Sequence, residues 1–177
     1  MHEKRLANLL GAAALAVTDE MVHGAVRAAQ LNASQVTALV VLRGEAGLSV
    51  TELAKRIGIH QTACTRLVDA LQDRGLVERR QTVGKWTHVH PTEAGRQAAE
   101  DVLHARGHSL LRVIERLADD ERRALVDGLE KLLTGLYDEI GSAERICRMC
   151  DRPACTSSGL TCPVGAAERA HQREPQG

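Results

Sequence analysis

Four of the five cysteines crowd into one short run, "ERICRMCDRPACTSSGLTCPVGAAER", at Cys147, Cys150, Cys155 and Cys162. The spacing is C-x2-C-x4-C-x6-C, so all four thiols fall within sixteen residues. Four thiolates this close can close round one ion without help from elsewhere in the chain. Tetrahedral sulfur coordination suits zinc, and C-x2-C is a usual zinc-knuckle element. It equally suits an iron–sulfur cluster, and Pro163 follows Cys162 as a proline follows the last cysteine of ferredoxin runs. A metal-free thiol–disulfide switch is the third possibility. Arg145, Arg148 and Arg152 favour thiolate over thiol in each case. Pro153 and Gly159 supply the turns that a wrapped loop needs.

Two histidines form a second candidate. His104 and His108 are four residues apart, on one face of a helix, a spacing that can grip zinc. His23 or a Glu of the first helix would have to complete that site. The fifth cysteine, Cys64, falls on the inner face of its helix and reads as a small hydrophobe.

Composition narrows the protein that carries these groups. The 177 residues include one Trp, one Tyr and no Phe, so the core must be built from Leu, Val, Ile and Ala. That favours packed helices over a β-sandwich. Net charge is zero, yet residues 55–90 carry seven Lys or Arg against three acids, and three histidines besides. One segment therefore faces anions. The opening "MHEKRLANLLGAAALAV" has the basic start and apolar run of a signal peptide, but Glu3 and Asn8 interrupt it. Its leucines recur at helical spacing instead. No run approaches membrane-spanning length. The chain reads as soluble and cytoplasmic, where stable disulfides are uncommon. No phosphate loop, nucleophile elbow or carboxylate pair argues for an enzyme.

The elements are set by caps and periodicity. Residues 2–30 read as one long helix. Asn32 with Gln35 is a capping box for the next, which ends near Gly44 to Gly47. Ser49 with Glu52 is a second capping box, and Gly58 ends that helix in the left-handed conformation. The helix after it buries Cys64, Leu67, Val68 and Leu71, and Gly75 ends it. Two short helices round a glycine turn make a helix-turn-helix. Leu76–Arg80 and Trp86–His90 alternate as strands with "QTVGK" as their turn. His88 and His90 share one side of the second strand, facing solvent or phosphate. Thr92 caps a helix over 93–117, and a last helix from Asp119 ends at Gly141 with Leu125, Leu129, Leu132, Leu136 and Ile140 in a stripe.

This order of elements, with "LSVTELAKRIGIHQTACTRLVDALQDRGLVERR" and "HPTEAGR", resembles the MarR family of transcriptional regulators over residues 5–140. The resemblance implies a mainly α (α+β) winged helix-turn-helix with long N- and C-terminal dimerisation helices, here followed by a small Cys-rich tail. Residues 1–31 would be the N-terminal dimerisation helix and 32–91 the DNA-binding region. Residues 92–141 would be the C-terminal dimerisation helices and 142–177 the metal-binding tail. It further implies a homodimer, acting as a repressor on a double-stranded DNA operator, a small-molecule effector between the dimer helices and the winged helix, and no membrane. Zinc-sensing relatives place a histidine pair on the helix corresponding to that of His104 and His108.

In that fold the second helix of the motif enters the major groove. Its exposed face offers Gln61, Thr62, Thr65 and Arg66, of which Gln can bond adenine and Arg guanine. Arg79, Arg80 and Lys85 are placed beside phosphates. The family's wing usually carries Asp-x-Arg. Here it reads "RRQTVGKWTHVH", with a shorter loop and Lys85 as the cation nearest the tip. A protein-interaction module built on the cysteine knuckle is the reading from another class.

Overall fold

The computed structural model describes residues 2–81 and 87–173, with the backbone alone at 24, 25, 27 and 28. Helix α1 runs His2–Ala29 and α2 runs Ala33–Gly44. The capping box between them forms as expected. Asn32 Oδ1 accepts from Gln35 N–H at 2.9 Å, and Gln35 Oε1 accepts from Asn32 N–H at 3.1 Å. α3 spans Val50–Ile57 and α4 spans Gln61–Asp73. The Ser49–Glu52 box starts α3, and Gly58 at φ 76° ends it. Holding the Glu52 carboxylate, the Ser49 hydroxyl and backbone N–H lower its pKa.

Strands β1 (Val77–Gln81) and β2 (Thr87–Pro91) pair antiparallel, Val77 opposite Pro91 and Gln81 opposite Thr87. Each lies one residue later than periodicity predicts. Leu76 is not in the ladder because it turns the chain out of α4: its N–H bonds Leu71 O, and its carbonyl accepts from Thr92 N–H. Of the expected turn, residues 81–85, Gln81 is instead the last residue of β1, and 82–85 lie outside the described residues, as does Trp86, expected to open the second strand. A third piece of sheet was not foreseen: Leu48 bridges Val89, with Val89 N–H donating to Leu48 O at 2.8 Å. Leu48 gave no strand signal because a single bridge has no alternation to read.

α5 spans Glu93–Ile114, three residues shorter than expected. The chain leaves it at Glu115 to 117, and Glu121 bonds the Ala118 N–H to start α6 (Asp119–Ile140). Thr92 joins wing and helix: its hydroxyl donates to Gly75 O at 2.7 Å and accepts from Gly95 N–H at 3.1 Å. Gly95 is required at this crossing, since a Cβ there would stand 1.9 Å from Leu76 O.

The main core lies inside α2, α3, α4, the wing and the start of α5. Leu39, Leu42, Leu53, Cys64, Val68, Leu71, Val89 and Val102 are its fully buried members. α1 packs along α5. The cysteine tail, read as a wrapped loop with turns at Pro153 and Gly159, folds into α7 (Ala143–Ile146), α8 (Arg152–Thr156), a short 3-10 turn and α9 (Pro163–Arg173). α6 packs chiefly against this last helix rather than against the main body. Tyr137 of α6, with Val164 and Ala167 of α9, forms a second small core. His171 stacks edge-on to Tyr137 at 5.3 Å.

Candidate nucleic-acid interface and cysteine cluster

Helix α4 divides cleanly. Cys64, Leu67, Val68 and Leu71 are buried, whereas Gln61, Thr62, Thr65 and Arg66 are all exposed on the other side. Thr65 Oγ1 donates back to Gln61 O at 3.1 Å, leaving its lone pairs outward. Among the described residues Arg66 has no ion-pair partner. His60 is the N-cap of α4 but makes no side-chain cap bond, so the first-turn N–H groups of α4 keep their hydrogen-bonding capacity.

The cations of the wing are arranged differently. Arg79 Nη2 lies 2.6 Å from Asp69 Oδ1 and Arg79 Nη1 lies 2.9 Å from Gln72 Oε1, both on α4. Arg80 pairs with Glu78 of its own strand at 2.5 Å. Arg79 thus stands at the flank of α4, and both arginines are held by protein partners in the free chain. Lys85 lies outside the described residues. His90 is half-buried against Gly47, and that burial lowers its pKa. Arg74, which sequence reasoning left without a role, donates to Gln30 O at 2.7 Å and caps the end of α1. A pairing over 44 residues gives no local signal.

The four tail thiols come together. Cys150 Sγ and Cys155 Sγ are 3.5 Å apart, and Cys147 is in hydrogen-bond contact with both Cys150 and Cys162. The thiols thus run in a row, 162–147–150–155. Gly165 N–H points at Cys162 Sγ from 3.5 Å. The neighbouring Cys150 thiol stabilises the Cys147 thiolate and lowers its pKa, and the same contact raises that of Cys150. Burial raises Cys155. As placed, no three His, Cys, Asp or Glu side chains among the described residues stand round a point where an ion would sit. His104 and His108 are both exposed on α5, and no third ligand joins them among the described residues.

With this geometry in view, the likeness to known proteins is readily placed. Residues 29–84 match the model of the MarR family. The transcriptional repressor MprA of Escherichia coli is 29% identical over 114 residues, which cover 62% of this chain and 65% of MprA. The match therefore spans just under two thirds of that relative's length. A MarR family protein from Bacillus stearothermophilus has the same fold at a TM-score of 0.67 and 25% identity, over 80% of this chain and 96% of that one. The MarR family protein Rv2887 of Mycobacterium tuberculosis has it at a TM-score of 0.59 and 26% identity, over 72% and 92%. Over residues 29–84 in sequence, and in its fold, the chain is thus similar to MarR-type winged-helix proteins. Among the described residues no helix is long and apolar enough to cross a membrane.

Proposed function

We propose that the chain is a homodimeric, sequence-specific DNA-binding transcriptional regulator, acting as a repressor. The observation that carries this is the outer face of α4: four hydrogen-bonding side chains, Gln61, Thr62, Thr65 and Arg66, exposed on a helix whose opposite face is core. An arginine so placed suits the O6 and N7 of guanine, and the glutamine suits adenine. Arg79 borders this face and reaches a phosphate once Asp69 yields, and Arg80 is a second cation of the same strand. The repressor reading is supported by the name of MprA.

Dimerisation is supported by apolar side chains that one copy leaves in water. Leu6 and Leu15 of α1, Leu111 and Val113 of α5, and Leu125, Leu129, Leu132, Leu136 and Ile140 of α6 are exposed. Exposed apolar side chains that gather into one surface mark an interaction site. A small-molecule effector is supported by a cleft of about 340 Å³ between α1, α2 and the tail, lined by Met21, Val22, Val36, Thr37, Ile146 and Met149. Rv2887, of similar fold, has been solved with p-aminosalicylic acid.

The test is selection from a pool of random DNA duplexes, with affinity then measured on the selected duplex. A single enriched sequence with two half-sites about one helical turn apart is expected. Arg66→Ala should weaken that duplex by about 1–3 kcal/mol while leaving the dimer intact. No enrichment, or unchanged affinity in Arg66→Ala, overturns the assignment of α4 to the groove.

A further inference from the structure

The tail does more than trail from the last dimerisation helix. Three arginines of the main body hold its cysteine-bearing stretch. Arg56 of α3, half-buried, lies 3.2 Å from Glu144, just beyond the end of α6 and its cap. Arg43 of α2 lies 3.9 Å from Asp151. Arg106 of α5 donates to the Met149 carbonyl, and Met149 packs against the main core. On its other side the same stretch rests on α6 and α9, where Cys147 and Cys162 pack beside Tyr137 and Val164. The four thiols therefore sit at the junction between the helix-turn-helix and the terminal helix.

Little else holds this junction together. α7 and α8 have four and five residues, too few to be stable alone. All four cysteines are unbridged. Sulfurs on a tetrahedral zinc with bonds of about 2.3 Å stand roughly 3.8 Å from one another. The Cys150–Cys155 separation of 3.5 Å is close to that spacing. Closing round one ion requires the outer thiols, Cys155 and Cys162, to turn inward from this row. Arg106 supplies a further sign. Its Nε is shielded from solvent and has no acceptor among the described residues, while its guanidinium stands near Cys150 and Cys155. Zinc with four thiolates carries two negative charges, which this cation would offset and whose sulfurs would accept its hydrogen bond.

We propose that Cys147, Cys150, Cys155 and Cys162 form a four-thiolate site for one zinc ion, and that the bound ion pins the α6–α9 end of the chain to the helix-turn-helix through α7 and α8. Binding releases the thiol protons to solvent and involves no change of oxidation state. The class of ligand is a soft divalent cation, and the consequence is mechanical. Without the ion, Glu144 and Met149 are presented to Arg56 and Arg106 by a loose loop. With it, they are presented by a rigid one.

The experiment uses the full chain purified without oxygen, with zinc, iron and acid-labile sulfide measured on the same sample. One zinc per chain in a colourless protein is expected. Cys155→Ser and Cys162→Ser should each lower zinc affinity, read against a chromophoric chelator, by roughly a hundredfold or more, since even outer partners of a metal site are worth ten- to a hundredfold. Cys64→Ser should leave it unchanged. Amide hydrogen exchange over residues 143–156 of the unmutated protein should slow on adding zinc, so the proposal does not hang on the variants folding. Iron with sulfide, a Cys150–Cys155 disulfide with no zinc taken up after reduction, or undiminished zinc affinity in both tail variants overturns the site. Exchange indifferent to zinc overturns the pinning. None of these readings involves DNA, so their failure is separate from failure of the regulator assignment.

Discussion

Arg79 Nη2 lies 2.6 Å from Asp69 Oδ1, and this pair ties the first strand of the wing to the flank of α4. Gln72 Oε1 takes the second arm of the same guanidinium at 2.9 Å. Asp69 is more than half exposed, so the pair contributes little to stability. Its effect is on where a positive charge stands. An aspartate on α4 near a phosphate backbone also repels it.

Asp69→Asn should therefore bind DNA more tightly. The substitution deletes one negative charge from α4 and frees Arg79 for a phosphate. The slope of log affinity against log salt should steepen by roughly one. Anisotropy of the selected duplex across a sodium chloride series reads both quantities. An unchanged slope would show that Arg79 stays with Gln72 and serves only to hold the wing.

The exposed stripe of α6 predicts the oligomer. Leu129 sits mid-stripe, 43% exposed in one copy. Leu129→Asp should place a charge in the subunit interface, and burying an unpaired carboxylate costs several kcal/mol. Sedimentation equilibrium should show the mass fall from twice to once the 19.1 kDa of the chain. A dimer that survives would move the interface off α6.

Cys64 predicts a pH dependence. It is wholly buried under α4, and burial alone pushes its thiol up to about 11. The unfolded thiol ionises near 9, so between about pH 9 and 11 the unfolded chain loses a proton that the folded chain keeps. Stability is thus fully present below pH 9 and falls as pH rises, by about 2 kcal/mol at pH 11. Cys64→Ala should flatten this fall in urea melts taken from pH 8 to 11. The same burial makes Cys64 unreactive to iodoacetamide at neutral pH.

Much of the fold was legible in the residues. The Asn32–Gln35 and Ser49–Glu52 boxes form as read, Gly58 and Gly141 take the left-handed conformation, and the inner face of α4 is the one expected. Strand ends and the end of α5 were off by one to three residues, because the hydrogen bonds of Leu76 and the start of α6 decide them. Exposure of Gln61, Thr62, Thr65 and Arg66 came directly from helical periodicity. The engagement of Arg79 and Arg80 by acids did not, because periodicity says which way a side chain points and not what it meets.

The sequence by itself determined the order of elements, the outward side of α4 and the presence of four clustered thiols. Each depends on residues a few positions apart, whose hydrogen bonds and spacing act within one turn or one loop. Only the tertiary structure decided where the tail goes. Arg56 reaches Glu144 and Arg106 reaches Met149 across dozens of residues of chain, and the fold alone brings those partners together. It set the cysteines beside the helix-turn-helix, where linear distance had put them far away. The physical reason is that long side chains at the rim of a core pair with whatever the packing of α2, α3 and α5 leaves within reach, and that packing is a property of the whole core.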